Sequence, residues 1–236
     1  MIIAAIFAGG NGSRMGNSNL PKQFLMLGTK PILVHTVEKF LIHPRVERVI
    51  VLCPRAWMSY TEDLLVGTGV PVLEGGETRN GTLQNALDYT AAAFGTQEDH
   101  ILITHDAVRP FVTQRIIGEN INAALEHGAC DTVIPATDTI VQSEDGVYIF
   151  TIPERRTCYQ GQTPQTFRTN KLRKLIESLT DTESEILTDA CKIFSMRGEP
   201  VAMVQGEIHN IKITYPYDMK VAQALLGIHL EEAEAQ

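Results

Sequence analysis

The chain has 236 residues, 44% of them hydrophobic and 20% charged, which is enough for one large core and excludes a disordered or fibrous protein. Twenty Lys and Arg against 28 Asp and Glu leave a net charge of −8, which excludes broad binding to nucleic acid or to an anionic membrane; a phosphate site has to be built from a few placed cations. Cys53, Cys130, Cys158 and Cys191 show neither a CxxC pair nor metal-ligand spacing, which points to free thiols in a reducing, cytoplasmic compartment, and no apolar run approaches the roughly 20 residues of a membrane helix.

In chain order, "IIAAIF" reads as a buried strand; it has no basic flank of the kind that opens a signal peptide. "PILVHTVEKFLIH" then reads as a helix, "RVIVLC" as a strand, "WMSYTEDLLV" as a helix, "VPVLEGG" as a strand, "TLQNALDYTAAAFG" as a helix and "HILITHD" as a strand. This alternation predicts a mainly parallel sheet with helices on both faces, whose ligands bind beyond the carboxyl ends of the strands. "AGGNGSRMG", "GGETRNGT" and "HDAVRPF" all follow strands, so three loops meet at one edge. After the helix "TQRIIGENINAALEHG", the stretch "DTVIPATDTIVQSEDGVYIFTIPERRTCYQGQTPQTF" is β-branched around the turn "SEDG" and reads as a protruding β-arm at about 137–157. A lone hairpin is marginally stable in water, so this arm is expected to pack on a second copy of the chain. The remainder predicts helices over "TNKLRKLIESL" and "SEILTDACKIF", a strand over "PVAMVQG", and a strand "NIKIT" leading into a helix that starts near Pro216, with a solvated acidic tail. No linker or repeat divides residues 1–236, which reads as a single domain.

Each motif has a plain and a functional reading. The loop from Gly9 to Arg14 fits neither common glycine fingerprint; it is either a tight βα turn or a phosphate loop whose backbone N–H groups approach an anion. Arg14 and Lys22 bracket it, Lys22 on backbone restrained by Pro21, and two such cations suit phosphoryl chemistry, where charge neutralisation does most of the catalysis. Arg79 and Thr82 stand at a helix start, suited to a phosphate or ribose or to ordinary capping by Thr78 or Thr82. Asp106 and Arg109 either close a turn or offer an oxygen to Mg²⁺ and a guanidinium to an anion. His105 reads as packing behind them, Arg155 and Arg156 as arm-foot cations equally suited to interface salt bridges, and Cys191 as buried filler.

Taken together, "AGGNGSRMG", "LPKQFL", "GGETRNGT", "HDAVRPF", "TDTI", "QTPQTF", "LTDA" and "NIKITYPYD", in that order over residues 3 to about 225, resemble the sugar-alcohol phosphate cytidylyltransferases. The resemblance implies a Rossmann-like three-layer α/β sandwich with a mainly parallel twisted sheet and a β-arm for dimerisation. It implies that Ala8, Gly9, Gly10, Gly12 and Ser13 wrap CTP, and that Arg14 and Lys22 stabilise charge at the α-phosphate. Arg79 and Thr82 match nucleotide contacts, Asp106 the Mg²⁺-associated aspartate, and Ala107 a position beside the ribose. Arg109 and Thr163 match positions near the acceptor, Lys212 one that holds the acceptor phosphate within its own subunit, and Thr139 and Arg155 ones that act from the partner subunit of a homodimer. His209 departs from the acidic or small polar residues common before "NIKIT". Two branches are near: ribitol-5-phosphate cytidylyltransferases, which make CDP-ribitol for teichoic acid or capsule, and 2-C-methyl-D-erythritol 4-phosphate cytidylyltransferases of isoprenoid synthesis. The loop between Arg14 and Lys22 is one residue longer than is usual in the second branch, and "SNLPKQFL", "YQGQTPQTF" and "LTDACKIF" read like the first, so D-ribitol 5-phosphate is the expected acceptor. A ribulose-5-phosphate reductase is then a candidate partner. A nucleotide-binding regulatory protein without turnover is the remaining alternative; such a binder has no need for Arg14, Lys22, Asp106, Arg155 and Lys212 together.

Overall fold

A computed structural model describes residues 1–10, 20–180, 182–183 and 189–227. Gly12, Ser13 and Arg14 of the glycine loop, Thr188 and the acidic tail lie outside the described residues.

The expected alternation forms. Ile2–Phe7 (β1) is followed by a small antiparallel ribbon of Met26–Leu27 (β2) and Lys30–Pro31 (β3), then Ile32–Leu41 (α1), Arg48–Cys53 (β4), Met58–Leu64 (α2), Val72–Glu74 (β5), Arg79–Phe94 (α3) and Ile101–Asp106 (β6). Gln114–His127 (α4), Ala129–Pro135 (β7), Tyr159–Arg168 (β8), Thr169–Glu177 (α5), Ala190–Met196 (α6), Ala202–Gln205 (β9) and Pro216–Leu225 (α7) complete the described elements. The main sheet has seven strands in the order β5-β4-β1-β6-β8-β7-β9. All neighbours pair in parallel except β8, which runs against both β6 and β7.

The two-residue side-chain period divides each central strand between two helical layers. Ala4 and Ile6 of β1 pack in one core with Leu33, Val37 and Phe40 of α1 and with Ile117 and Ile121 of α4. Ile3 and Ala5 pack in the other with Leu83 and Leu87 of α3, Leu172 of α5 and Phe194 of α6. Burial on both faces is why these strands read as unbroken apolar runs, and it leaves their carboxyl ends as the open edge of a three-layer α/β/α sandwich. Helix ends follow local chemistry: Thr78 accepts from the Gly81 N–H at 3.0 Å to open α3, and Gly128, at φ +87°, closes α4. No described helix is long and apolar enough to cross a membrane.

Three expectations need correction. The arm expected at about 137–157 carries a single antiparallel bridge, Gln142 to Thr151, in place of a two-stranded hairpin, and the flanking "DTVIP" and "YQGQTPQTF" lie in β7 and β8 of the main sheet. Residues 141–150 are exposed throughout, so their β-branched pattern has no layer against which to bury a face. "NIKIT" pairs with no strand; the Ile213 N–H, donating to Val108 O at 2.9 Å, and the Asn210 carbonyl, accepting from Arg109 at 2.8 Å, pin it to the turn after β6. Asp189 stands outside the helix it was expected to join and caps α6, accepting from the Cys191 N–H at 2.8 Å.

Candidate functional site

The ends of β1 and β6, the turn before α3 and the segment that carries Lys212 enclose a cleft of about 280 Å³ at the open sheet edge. Ala8, Gly9, Gly10, Lys22, Arg79, Thr82, Asp106, Ala107 and Lys212, all expected from the sequence, line it.

The glycine loop leaves β1 under restraint. The Ala8 N–H donates to Leu52 O at 2.8 Å, and Gln23 Nε2 donates to Ala8 O at 2.6 Å. A Cβ on Gly10 would lie 3.8 Å from Lys22 Cε, so glycine backbone and lysine stem run side by side. Lys22, 7% exposed, starts a short 3₁₀ turn that Phe24 anchors against Trp57 and Tyr60.

At the start of α3, plain and functional readings coexist. A Cβ on Gly76 would sit 2.6 Å from Gly81 Cα, so only glycine allows the loop to close on the helix. Thr82 accepts from the Gly76 N–H at 3.1 Å and donates to Thr78 O at 3.0 Å; its hydroxyl holds the loop shut while its side chain forms part of the wall. Arg79 then lies over the Phe7 ring at 5.3 Å and donates to Asp106 Oδ1 at 2.7 Å.

Asp106 is the hub. Besides Arg79, Lys212 Nζ approaches its Oδ2 at 2.9 Å and Arg109 Nε at 3.5 Å. Burial alone would raise this carboxyl, but Arg79, Lys212 and Arg109 together outweigh it and hold Asp106 well below the usual carboxylate range. Arg109 is buried beneath the cleft, where burial lowers its pKa against the pull of Asp106; Nη1 also donates to Asn210 O at 2.8 Å. Thr163 likewise lies below the wall: it accepts from the Asp106 N–H at 3.2 Å and meets His105 Nδ1 at 2.9 Å. Burial lowers His105 to about 4, against the hydrogen bond to Arg109 O, so the ring is neutral near pH 7.

His209 pairs with Glu207 at 2.5 Å, and Glu207 also accepts from Arg115 at 2.8 Å, which ties the segment before Lys212 to α4. Thr139 and Arg155 are exposed and do not line the cleft; Arg155 Nη1 donates to Thr137 O at 3.3 Å. Phe7, Gln23, Gly76, Glu77, Thr78 and Val108 line the cleft without having been expected there, and all but Phe7 fall inside the motifs "LPKQFL", "GGETRNGT" and "HDAVRPF". Outside the cleft wall, Asp131, Asp189 and Cys191 bring ligand atoms within 4.8 Å of one another. Gln165 Nε2 donates to Asp189 Oδ2 at 2.8 Å, while Asp131 Oδ1 is buried without a hydrogen-bond partner.

Sheets of this construction take nucleotides at the carboxyl edge, and cations gathered there suit phosphoryl chemistry, so fold and cleft together define a nucleotidyltransferase. The chain belongs to the 2-C-methyl-D-erythritol 4-phosphate cytidylyltransferase (IspD) family, whose model matches residues 2–228. It is thus a cytidylyltransferase by family. Among solved structures it is similar to 4-diphosphocytidyl-2C-methyl-D-erythritol synthase from Anaerococcus prevotii, with 26% identity, a TM-score of 0.78 and 96% of each chain covered. The 2-C-methyl-D-erythritol 4-phosphate cytidylyltransferases of Thermus thermophilus (27% identity, TM-score 0.72, 94% of this chain and 98% of that one) and Francisella tularensis (25%, 0.77, 94% and 98%) are similar as well.

Proposed function

We propose that the chain transfers the cytidylyl group of CTP to the phosphate of an open-chain polyol phosphate, releasing pyrophosphate. The observation that carries this is the convergence of Lys22, Arg79 and Lys212 with the Asp106 carboxylate in one cleft beside a glycine loop. A phosphate oxygen of the acceptor attacks the α-phosphorus of CTP in line. A phosphate monoester is already an anionic nucleophile near neutral pH, so no strong general base is needed. Catalysis falls to positioning and charge neutralisation: Lys22 and Arg14 at the α-phosphate, Lys212 at the acceptor phosphate, Ala8 to Ser13 around the nucleotide, and Arg79 on its phosphates. A Mg²⁺ ion, commonly held by one carboxylate together with substrate phosphates, would take Asp106, which lines the cleft, in exchange for part of its contact with Arg79 and Lys212, and would supply further neutralisation of the two anions.

Two acceptors compete. 2-C-Methyl-D-erythritol 4-phosphate is the one the comparisons support better, through the family description and the names of the similar structures. D-Ribitol 5-phosphate is the second reading, supported by the longer loop between Arg14 and Lys22 and by the motifs "SNLPKQFL" and "YQGQTPQTF". The arm between β7 and β8 completes the site in a homodimer, bringing Thr139 and Arg155 to the partner's acceptor. Val147, Tyr148 and Phe150, at 74%, 76% and 71% exposure, support that role as an apolar surface in need of cover. Pyrophosphate release with CTP, Mg²⁺ and each acceptor in turn tests both points: preference for one acceptor decides between the readings, and no release with either refutes the enzyme reading in favour of a nucleotide binder.

A further inference from the structure

His105 is fully buried and takes no part in the cleft wall, yet both ring nitrogens are engaged. We propose that His105 is a positioning residue for cytidylyl transfer, acting through Thr163 and the Arg109 carbonyl to lock the backbone that carries Asp106. This rests on the cytidylyl-transfer reading of the cleft.

The chain of contacts has fixed ends, a carbonyl that only accepts and an amide that only donates. His105 Nε2 lies 3.1 Å from Arg109 O, and a carbonyl only accepts, so Nε2 carries the proton. With Nε2 engaged by that carbonyl, Nδ1 is turned to the Thr163 hydroxyl, 2.9 Å away. The Thr163 oxygen is left to accept from the Asp106 N–H at 3.2 Å. Each group is therefore oriented by the next, from the Arg109 carbonyl through the ring and the Thr163 hydroxyl to the Asp106 N–H.

The sheet explains why such a device is needed. The paired register of β6 with β8 ends at Thr104 and Gln165, two residues short of Asp106. Asp106 keeps its register with Phe7 of β1, but on the β8 side its N–H meets the Thr163 side chain in place of a strand carbonyl, so that side of the strand end depends on how well Thr163 is held. His105 holds it and, through Arg109 O, closes the turn after β6. Asn210 extends the frame: its side-chain Nδ2 donates to Thr163 O at 2.9 Å and its backbone carbonyl accepts from Arg109 at 2.8 Å, which fixes the segment leading to Lys212. A side chain wanted only for packing against Phe40, 4.9 Å away between ring centroids, would need neither nitrogen.

The test uses three variants of the full chain. His105→Phe keeps the ring and removes both nitrogens, His105→Asn keeps an acceptor on the Thr163 side, and Thr163→Val removes the hydroxyl at nearly constant volume. With turnover expressed per folded enzyme, His105→Phe should lower kcat roughly 100-fold, since misplacement by about an ångström costs that much, while the KM for CTP stays within about twofold. His105→Asn should recover about tenfold of that loss, and His105→Phe with Thr163→Val should be no slower than the worse single variant, because the two act on one chain of contacts. In the substrate-free protein, the Asp106 amide should exchange about tenfold faster in both His105→Phe and Thr163→Val. Full turnover in His105→Phe, independent losses that multiply in the double variant, or wild-type exchange at Asp106 would each overturn the proposal. Should His105→Phe not fold, Thr163→Val decides by the same exchange measurement. A wild-type chain inactive on either acceptor would refute the reading of the cleft, and amide exchange would still decide whether the frame exists.

Discussion

Replacing Asp131 with Asn is expected to stabilise the protein by an amount that grows with pH. In the folded chain burial, and after it repulsion from Asp189, pushes the Asp131 carboxyl up to about 7 from the ordinary value of 3.8. Between those two values the folded state holds a proton that the unfolded state has lost. Stability therefore falls as pH rises through the window and levels off above about 7. The gap covers about three pH units, and at about 1.4 kcal/mol each the native carboxyl costs up to roughly 4 kcal/mol at pH 8. Asn removes the titration at constant shape and offers an N–H to the Asp189 carboxylate, whose ligand atom lies within 4.8 Å. For a chain of this length 1 kcal/mol moves Tm by roughly 2–4 °C, so relief of half the cost gives a gain of about 4–8 °C at pH 8 that shrinks to nothing near pH 4. Thermal melts of both proteins by circular dichroism across that range measure it. A difference that does not change with pH, or a variant less stable at pH 8, would refute the account of Asp131.

The remaining expectations concern the cleft and arm. Lys22→Ala should cut turnover by about 100- to 1,000-fold with an unchanged far-ultraviolet spectrum, in line with loss of one charge-stabilising donor; near-normal turnover would remove Lys22 from the chemistry. Gly76→Ala places a methyl against the Gly81 backbone and has to displace the first turn of α3, so calorimetry should show a loss of about 1–3 kcal/mol and titration a raised KM for CTP. Phe150→Asp, on an exposed side chain, should leave the melting temperature of the monomer alone while lowering dimer mass in analytical ultracentrifugation and, with it, activity at low enzyme concentration.

The alternation of short apolar runs with amphipathic stretches is enough to place β1, β4 and β6 in one sheet and their loops at one edge, because strands buried on both faces must be apolar at nearly every position. Arg79, Asp106 and Lys212 are legible as residues and their mutual contact is not, since it depends on how deeply α3 and the segment after β9 approach the end of β6. The arm misleads where it joins the sheet. Pro164 within "YQGQTPQTF" argues against a central strand, yet β8 runs through it between β6 and β7, and the sheet tolerates it where the register of β7 with β8 shifts, between Asp131 and Val133. His105 reads as packing, because nothing in a linear sequence shows that Thr163, 58 residues on, would stand opposite its second nitrogen.

The ring of Arg79, Arg109 and Lys212 around a single carboxylate leaves the cleft with surplus positive charge inside a protein whose net charge is −8. The two fields differ in reach. At physiological ionic strength charges separated by more than about 8 Å are largely screened, so a polyanion in solution first meets the repulsion of the whole surface and feels the cleft only at close range. Moderate salt should then quicken the encounter by weakening the outer repulsion before it weakens the inner attraction. A compact triphosphate can bring its charge within that inner range, whereas an extended polyanion such as RNA keeps most of its phosphates over the acidic exterior; the charge distribution sorts anions by size before any contact is made.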